Sequence, residues 1–149
     1  EYLKTYDKEG VTDFSEWSVP LGRRFRALKL WFLMRAYGME GLRARIRNHV
    51  RWARELAERL RAEPEFEIFT EPMLSLFSFR YEPTGATDLD AVNLALIQAI
   101  NDDGRIYLTQ TKIDGALVIR FVAGQFDMQR EDMLVAGDTI IEIAAQLSK

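Results

Sequence analysis

Few residues of this chain are of types that can do chemistry, and two places stand out. Tyr2 lies in a polar opening segment, Glu1 to Leu21, which contains Gly10 and Pro20 and shows neither a helical nor a strand period. A phenol there has no core to fill. The block Trp17-Ser18-Val19-Pro20-Leu21-Gly22-Arg23-Arg24-Phe25-Arg26-Ala27-Leu28-Lys29-Leu30-Trp31 packs aromatics, a proline, a glycine and four cations into one junction between loop and helix. Gly22 at such a junction points to a backbone constraint or to the close approach of another group. Elsewhere the equipment is sparse. The chain has no cysteine and one histidine, His49, so thiol nucleophiles, disulfides, cysteine metal centres and paired-histidine metal sites are excluded. No glycine-rich phosphate loop and no Ser/His/Asp set is present.

His49 falls on the polar side of an arginine-rich helix and is expected to be solvated. The run Arg43, Arg45, Arg47, Arg51, Arg54, Arg59, Arg61 is interleaved with Glu55 and Glu58 in a chain of net charge −3. It reads as a solvated face or subunit contact rather than a nucleic-acid surface. The charge is uneven: residues 1–63 hold fourteen Lys/Arg against nine Asp/Glu, and residues 64–149 hold six against fourteen.

These residues need elements to position them. A chain of 149 residues, 48% hydrophobic, can bury a core of its own. The richest apolar run, Leu28 to Met34, is too short to span a bilayer. Helical spacing of Phe25, Leu28, Trp31 and Phe32 predicts a helix over Arg23 to Tyr37, stopped by Gly38. A second helix is expected from Met39 to Ala62, with Leu42, Ile46, Val50, Ala53, Ala57 and Leu60 on its apolar face. Glu65 to Thr70 and Leu74 to Tyr81 read as strands parted by Pro72. A helix capped by Thr87 or Asp88 follows, from Asp88 to Asn101. Strands Arg105 to Ile113 and Ala116 to Ala123 flank Asp114-Gly115, a type I′ hairpin signal. A helix from Met128 to Leu147, with Gly137 inside it, closes the chain. Hairpins with helices able to cover one face predict an α+β layer around an antiparallel sheet.

Tyr2-Leu3-Lys4, Thr12-Asp13-Phe14, the Trp17 to Trp31 block, Tyr37-Gly38-Met39-Glu40-Gly41-Leu42 and Ile46-Arg47-Asn48-His49-Val50 together resemble the C-terminal third of the group II pyridoxal-phosphate decarboxylases. Within that group the chain most resembles aromatic-L-amino-acid decarboxylase. The similarity extends through Phe66-Glu67-Ile68 and Leu117-Val118-Ile119-Arg120-Phe121.

The resemblance implies a fold-type-I enzyme: a cytoplasmic homodimer that uses pyridoxal 5'-phosphate to convert an aromatic L-amino acid to its amine and carbon dioxide. Nucleic acid and membrane are not implied as partners. Residues 1–21 would be the remnant of a catalytic loop and the entry to a helix, 22–62 linking helices from the large domain, and 63–149 the small C-terminal domain. The family's cofactor lysine follows a histidine upstream of this segment, so neither Lys4 nor Lys29 is that lysine. The chain, which does not open on Met, is expected to be a fragment, and alone it is expected to be inactive. Tyr2 matches the tyrosine of the family's mobile loop, the acid that reprotonates the substrate carbon. Gly22 matches a position near the substrate ring where histidine decarboxylases carry serine, and a glycine leaves room for a phenol or indole. Ser15 stands where animal dopa decarboxylases carry an arginine, a departure that bears on loop closure. Arg120 invites comparison with the carboxylate-clamping arginine of aminotransferases, but a decarboxylase gains nothing by gripping the group it expels, and a structural ion pair is expected. Two alternatives are an aldehyde synthase of the same family, in which the loop tyrosine is typically phenylalanine, and a non-catalytic α+β regulatory or binding module.

Overall fold

A computed structural model describes residues 25–147. The chain divides into two compact units, Glu1–Leu42 and Arg43–Lys149. Helix α1, Arg26–Ala62, runs through the boundary, and its helical backbone is interrupted at Gly38, where φ is 65° and ψ 165°. Nothing lies within 4 Å of where a Cβ would be, so the glycine is needed for its conformation rather than for space. The two expected helices are thus present, with one residue between them.

The rest of the fold is β1 (Phe66–Met73), β2 (Leu76–Tyr81), α2 (Leu89–Asp103), β3 (Thr109–Ile113), β4 (Ala116–Val122) and α3 (Arg130–Leu147). The four strands form one antiparallel sheet in the order β1-β2-β4-β3. This is the α+β architecture expected from the sequence. Phe66, Ile68, Phe77, Phe79, Tyr81, Leu117, Ile119 and Phe121 alternate onto one face, because successive strand residues point to opposite sides. There they meet Trp52, Leu56 and Leu60 of α1, Leu96, Ile97 and Ile100 of α2, and Met133, Ile140 and Ile143 of α3.

The buried face of α1 in this unit is His49, Trp52, Ala53, Leu56, Ala57 and Leu60, one stripe of three- and four-residue steps. It corrects the stripe read from the sequence. Ala53, Ala57 and Leu60 belong to both, but Ile46 is 60% exposed. The helix is rotated toward Trp52 and Leu56, and the large indole of Trp52 makes that pair remove more apolar surface from water than Ile46 and Val50 would. His49 turns inward with them and is only 9% exposed, contrary to the solvated histidine expected.

Pro72 does not end a strand. It sits inside β1, an edge strand whose register shifts between Thr70 and Met73, the kind of position where a missing N–H costs no ladder bond. The turn that follows holds Leu74 at φ 53°, so β2 starts at Leu76 rather than Leu74. At the other edge β3 starts at Thr109 rather than Arg105. The Asn101 side chain accepts from Leu108 N at 2.8 Å and donates to Leu108 O at 3.1 Å, which occupies the groups a longer ladder would use. The Asp114-Gly115 turn is as expected, with φ of 50° and 83°.

Helix α2 is capped by Asp88, whose carboxylate accepts from Ala91 N at 3.0 Å, and it ends on Gly104 at φ 83°. Asn93, fully buried, ties it to the sheet by accepting from Tyr81 N and donating to Tyr81 O, both at 2.8 Å. In α3, Gly137 permits close approach to α1, since a Cβ there would fall 2.7 Å from Arg59 Nη1 and 3.1 Å from Leu56 Cδ1. The Arg59 to Asp138 ion pair, 2.6 Å, closes the same contact.

Candidate functional site

The sheet face turned away from the core carries the polar side chains. Register aligns Thr70, Ser78, Arg120 and Thr109 in a row across all four strands. The Thr70 and Ser78 hydroxyls hydrogen-bond at 2.6 Å. Arg80, on the same side of β2, donates to Asp90 Oδ1 at 2.8 Å, and the same oxygen accepts from Leu117 N at 3.0 Å.

Arg120 differs from Arg80. Among the described residues its side chain makes neither an ion pair nor a hydrogen bond, so the structural pair expected for it is not found there. The residue is among those lining a cavity of about 440 Å³, with Tyr107, Thr109, Gln125, Asp132 and Met133. A planar, permanently charged group with open donors at a cavity wall is able to hold a carboxylate or phosphate. Sequence reading missed this because strand periodicity places Arg120 on a face but does not say whether an acid stands opposite.

The second centre is His49. Its Nε2 is buried without a hydrogen-bond partner, as is Nε1 of Trp52, whose ring lies 5.9 Å away. Burial pushes the imidazole below its ordinary 6.5, and the Arg45 guanidinium adds to that. Since the folded state disfavours the charged form, stability is expected to fall as pH drops below 6.5 toward the lower folded value, by at most about 1.4 kcal/mol per pH unit. Melting temperatures of the chain and of His49→Gln between neutral and mildly acidic pH check this. The slope should flatten in the variant, and equal slopes would exclude His49 as its source.

Tyr2 and Gly22, the two residues the sequence singled out, lie outside the described residues, as does Lys4. Of the described lysines, Lys29 is exposed on α1 and Lys112 sits on β3 with Asp90 3.8 Å away. Neither belongs to a cradle able to hold pyridoxal phosphate, so the described residues do not by themselves fit that cofactor. Among them, no group of three His, Cys, Asp or Glu could hold a metal, and no helix is long and apolar enough to cross a membrane. In the first unit Phe25, Leu30, Trp31, Phe32 and Met39 are each at least half exposed. Trp31 and Phe32 stack edge to face at 5.2 Å, and Arg35 lies over the Trp31 ring at 5.8 Å.

The pyridoxal-dependent decarboxylase conserved domain matches residues 1–82 of the chain. The chain belongs to this decarboxylase family. Its relatives include the aromatic-L-amino-acid decarboxylase of Mus musculus, 36% identical over 98% of the chain and 30% of the relative. A phenylacetaldehyde synthase of Arabidopsis thaliana is 37% identical over 83% of the chain and 26% of the relative. Among solved structures, Oryza sativa TDC with PLP and tryptamine superposes with a TM-score of 0.81 at 30% identity, covering 100% of the chain and 32% of that structure. The chain therefore spans only about a quarter to a third of the length of these relatives. Pyridoxal phosphate is the family's cofactor, and the fold described above is that of its C-terminal part.

Proposed function

We propose that the protein to which this chain contributes is a pyridoxal-phosphate-dependent carboxy-lyase that converts an aromatic L-amino acid to its amine and carbon dioxide. The observation that carries the reading is the family match over residues 1–82, which includes both Tyr2 and the Trp17 to Trp31 block. The likeness to Oryza sativa TDC along the whole chain supports it. The chain's share is the closing loop at 1–21, linking helices at 22–62 and the small domain at 63–149. The residues that hold the cofactor belong to the remainder of the enzyme, the whole acting as a cytoplasmic homodimer.

Two residues of this chain are assigned roles. Tyr2 delivers the proton that replaces the lost carboxylate, a task suited to a phenol brought in on a loop that also excludes water. Gly22 leaves space beside the substrate ring, since a glycine adds no side chain to fill it. The cofactor supplies the electron sink for decarboxylation, and the protein supplies position and the proton.

The aldehyde synthase reading has one observation behind it, the similarity to the Arabidopsis thaliana phenylacetaldehyde synthase. Tyr2 favours simple decarboxylation over it. Incubating the whole protein, loaded with pyridoxal phosphate, with tryptophan, tyrosine or dopa should release carbon dioxide and the matching amine. Turnover of glutamate but of no aromatic substrate would overturn the substrate class.

A further inference from the structure

Two aspartates of the chain precede a glycine among the described residues, Asp103-Gly104 and Asp114-Gly115, and the fold treats them differently. In such a pair the glycine backbone nitrogen can attack the aspartate Cγ. The glycine has no Cβ to shield its nitrogen, and its backbone is free to reach the needed conformation. A carbon–nitrogen bond forms, a carboxyl oxygen leaves as water, and a five-membered succinimide results. Water then adds to either carbonyl. Opening at the original backbone carbonyl leaves the chain running through Cβ and Cγ, which is isoaspartate. One water is lost and one regained, so the mass is unchanged and no oxidant or reductant is involved.

At Asp103 both reacting groups are engaged. Its carboxylate accepts from Arg105 Nε at 2.6 Å, Arg105 Nη2 at 3.1 Å and Arg105 N at 3.3 Å. Arg105 is itself anchored to Glu142 at 2.7 Å. The Gly104 N–H donates to Ile100 O at 3.4 Å as the cap of α2. Arg105 also holds the Asp103 carboxyl below the usual carboxylate range, and the ionised carboxylate is the poorer electrophile. Attack there requires the helix end and the ion-pair cluster to open together.

At Asp114 nothing comparable exists. Among the described residues its carboxylate makes no hydrogen bond or ion pair, and the Gly115 N–H has no acceptor. Both residues are exposed, and the space around Gly115 is empty to 4 Å. The turn is the tip of a hairpin whose outer strand, β3, is a five-residue edge, a place where local opening is cheap.

We propose that Asp114 is a site of spontaneous isoaspartate formation in the folded protein and that Asp103 is protected from it by the fold. The product lengthens the backbone of a two-residue turn by one carbon, and the Ile113 to Ala116 pairing that this turn closes is lost or displaced. Repair would fall to a methyltransferase acting on isoaspartyl carboxylates.

The two sites fall on separate tryptic peptides, residues 113–120 and 81–105. The folded chain is aged at neutral pH and physiological temperature, digested, and separated by reversed-phase chromatography. Electron-transfer fragmentation, which distinguishes isoaspartate, assigns the position. Peptide 113–120 should split into two species of equal mass, with an isoaspartate fraction at Asp114 at least about tenfold that at Asp103. A parallel sample aged in urea should convert at both positions, showing that the difference comes from the fold. Equal conversion of the two sites in the folded chain would overturn the proposal, as would an Asp114 that converts in urea and not when folded.

Discussion

Replacing Tyr2 by phenylalanine in the whole enzyme is expected to lower amine formation by roughly 10²–10⁴, the usual size of a general-acid contribution, and to bring aldehyde and ammonia into the products. When carbon dioxide leaves, an electron pair remains on the substrate carbon, and in the role proposed for Tyr2 the phenol would deliver the proton that turns that carbon into the amine carbon. Only one oxygen is lost in Tyr2→Phe, so binding of cofactor and substrate should change little. Without its acid the carbanion-like carbon persists long enough to meet oxygen. If Tyr2 instead only packs when the loop closes, the variant raises KM and leaves the product unchanged. Measuring amine and aldehyde together separates the two, and a variant that makes amine at the parent rate removes Tyr2 from the chemistry.

The largest expected effect on stability is at Phe79. It is fully buried on β2, an interior strand, with its ring 6.1 Å from those of both Phe66 and Phe77. Phe79→Ala should cost about 3–5 kcal/mol, because the lost transfer energy is joined by the cavity left in a packed core. Against a typical total of about 5–15 kcal/mol, that is enough to leave much of the unit unfolded under mild stress. Met73→Ala, at a side chain 77% exposed, is the control and should stay within about 0.5 kcal/mol. Denaturant midpoints compare the two. A Phe79→Ala loss below about 1 kcal/mol would mean that the core is not organised around β2.

The elements themselves were legible because each carried a local signal. Asp88 caps α2, Asp114-Gly115 makes the tight turn, and the alternation of Phe77 and Phe79 marks the core-facing side of β2. What escaped was decided by contacts distant in sequence. The inward turn of His49 depends on which face of α1 the sheet and α3 accept, and local polarity around it pointed the other way. The late start of β3 depends on the Asn101 side chain, seven residues before Leu108. Pro72 misled because a proline reads as a break until the strand is known to lie at an edge. The candidate site shows the same division: resemblance singled out Tyr2 and Gly22, whereas the open donors of Arg120 appear only once its neighbours across β2 and β3 are in place.

The most direct measurement is of products. The whole protein, supplied with pyridoxal phosphate and an aromatic L-amino acid, is assayed for carbon dioxide, amine, aldehyde and ammonia in the same reaction. Amine equal to the carbon dioxide released, with aldehyde a minor product, is the expected result. Aldehyde and ammonia in step with carbon dioxide would make the protein an aldehyde synthase, and no carbon dioxide from any aromatic substrate would contradict aromatic decarboxylation itself.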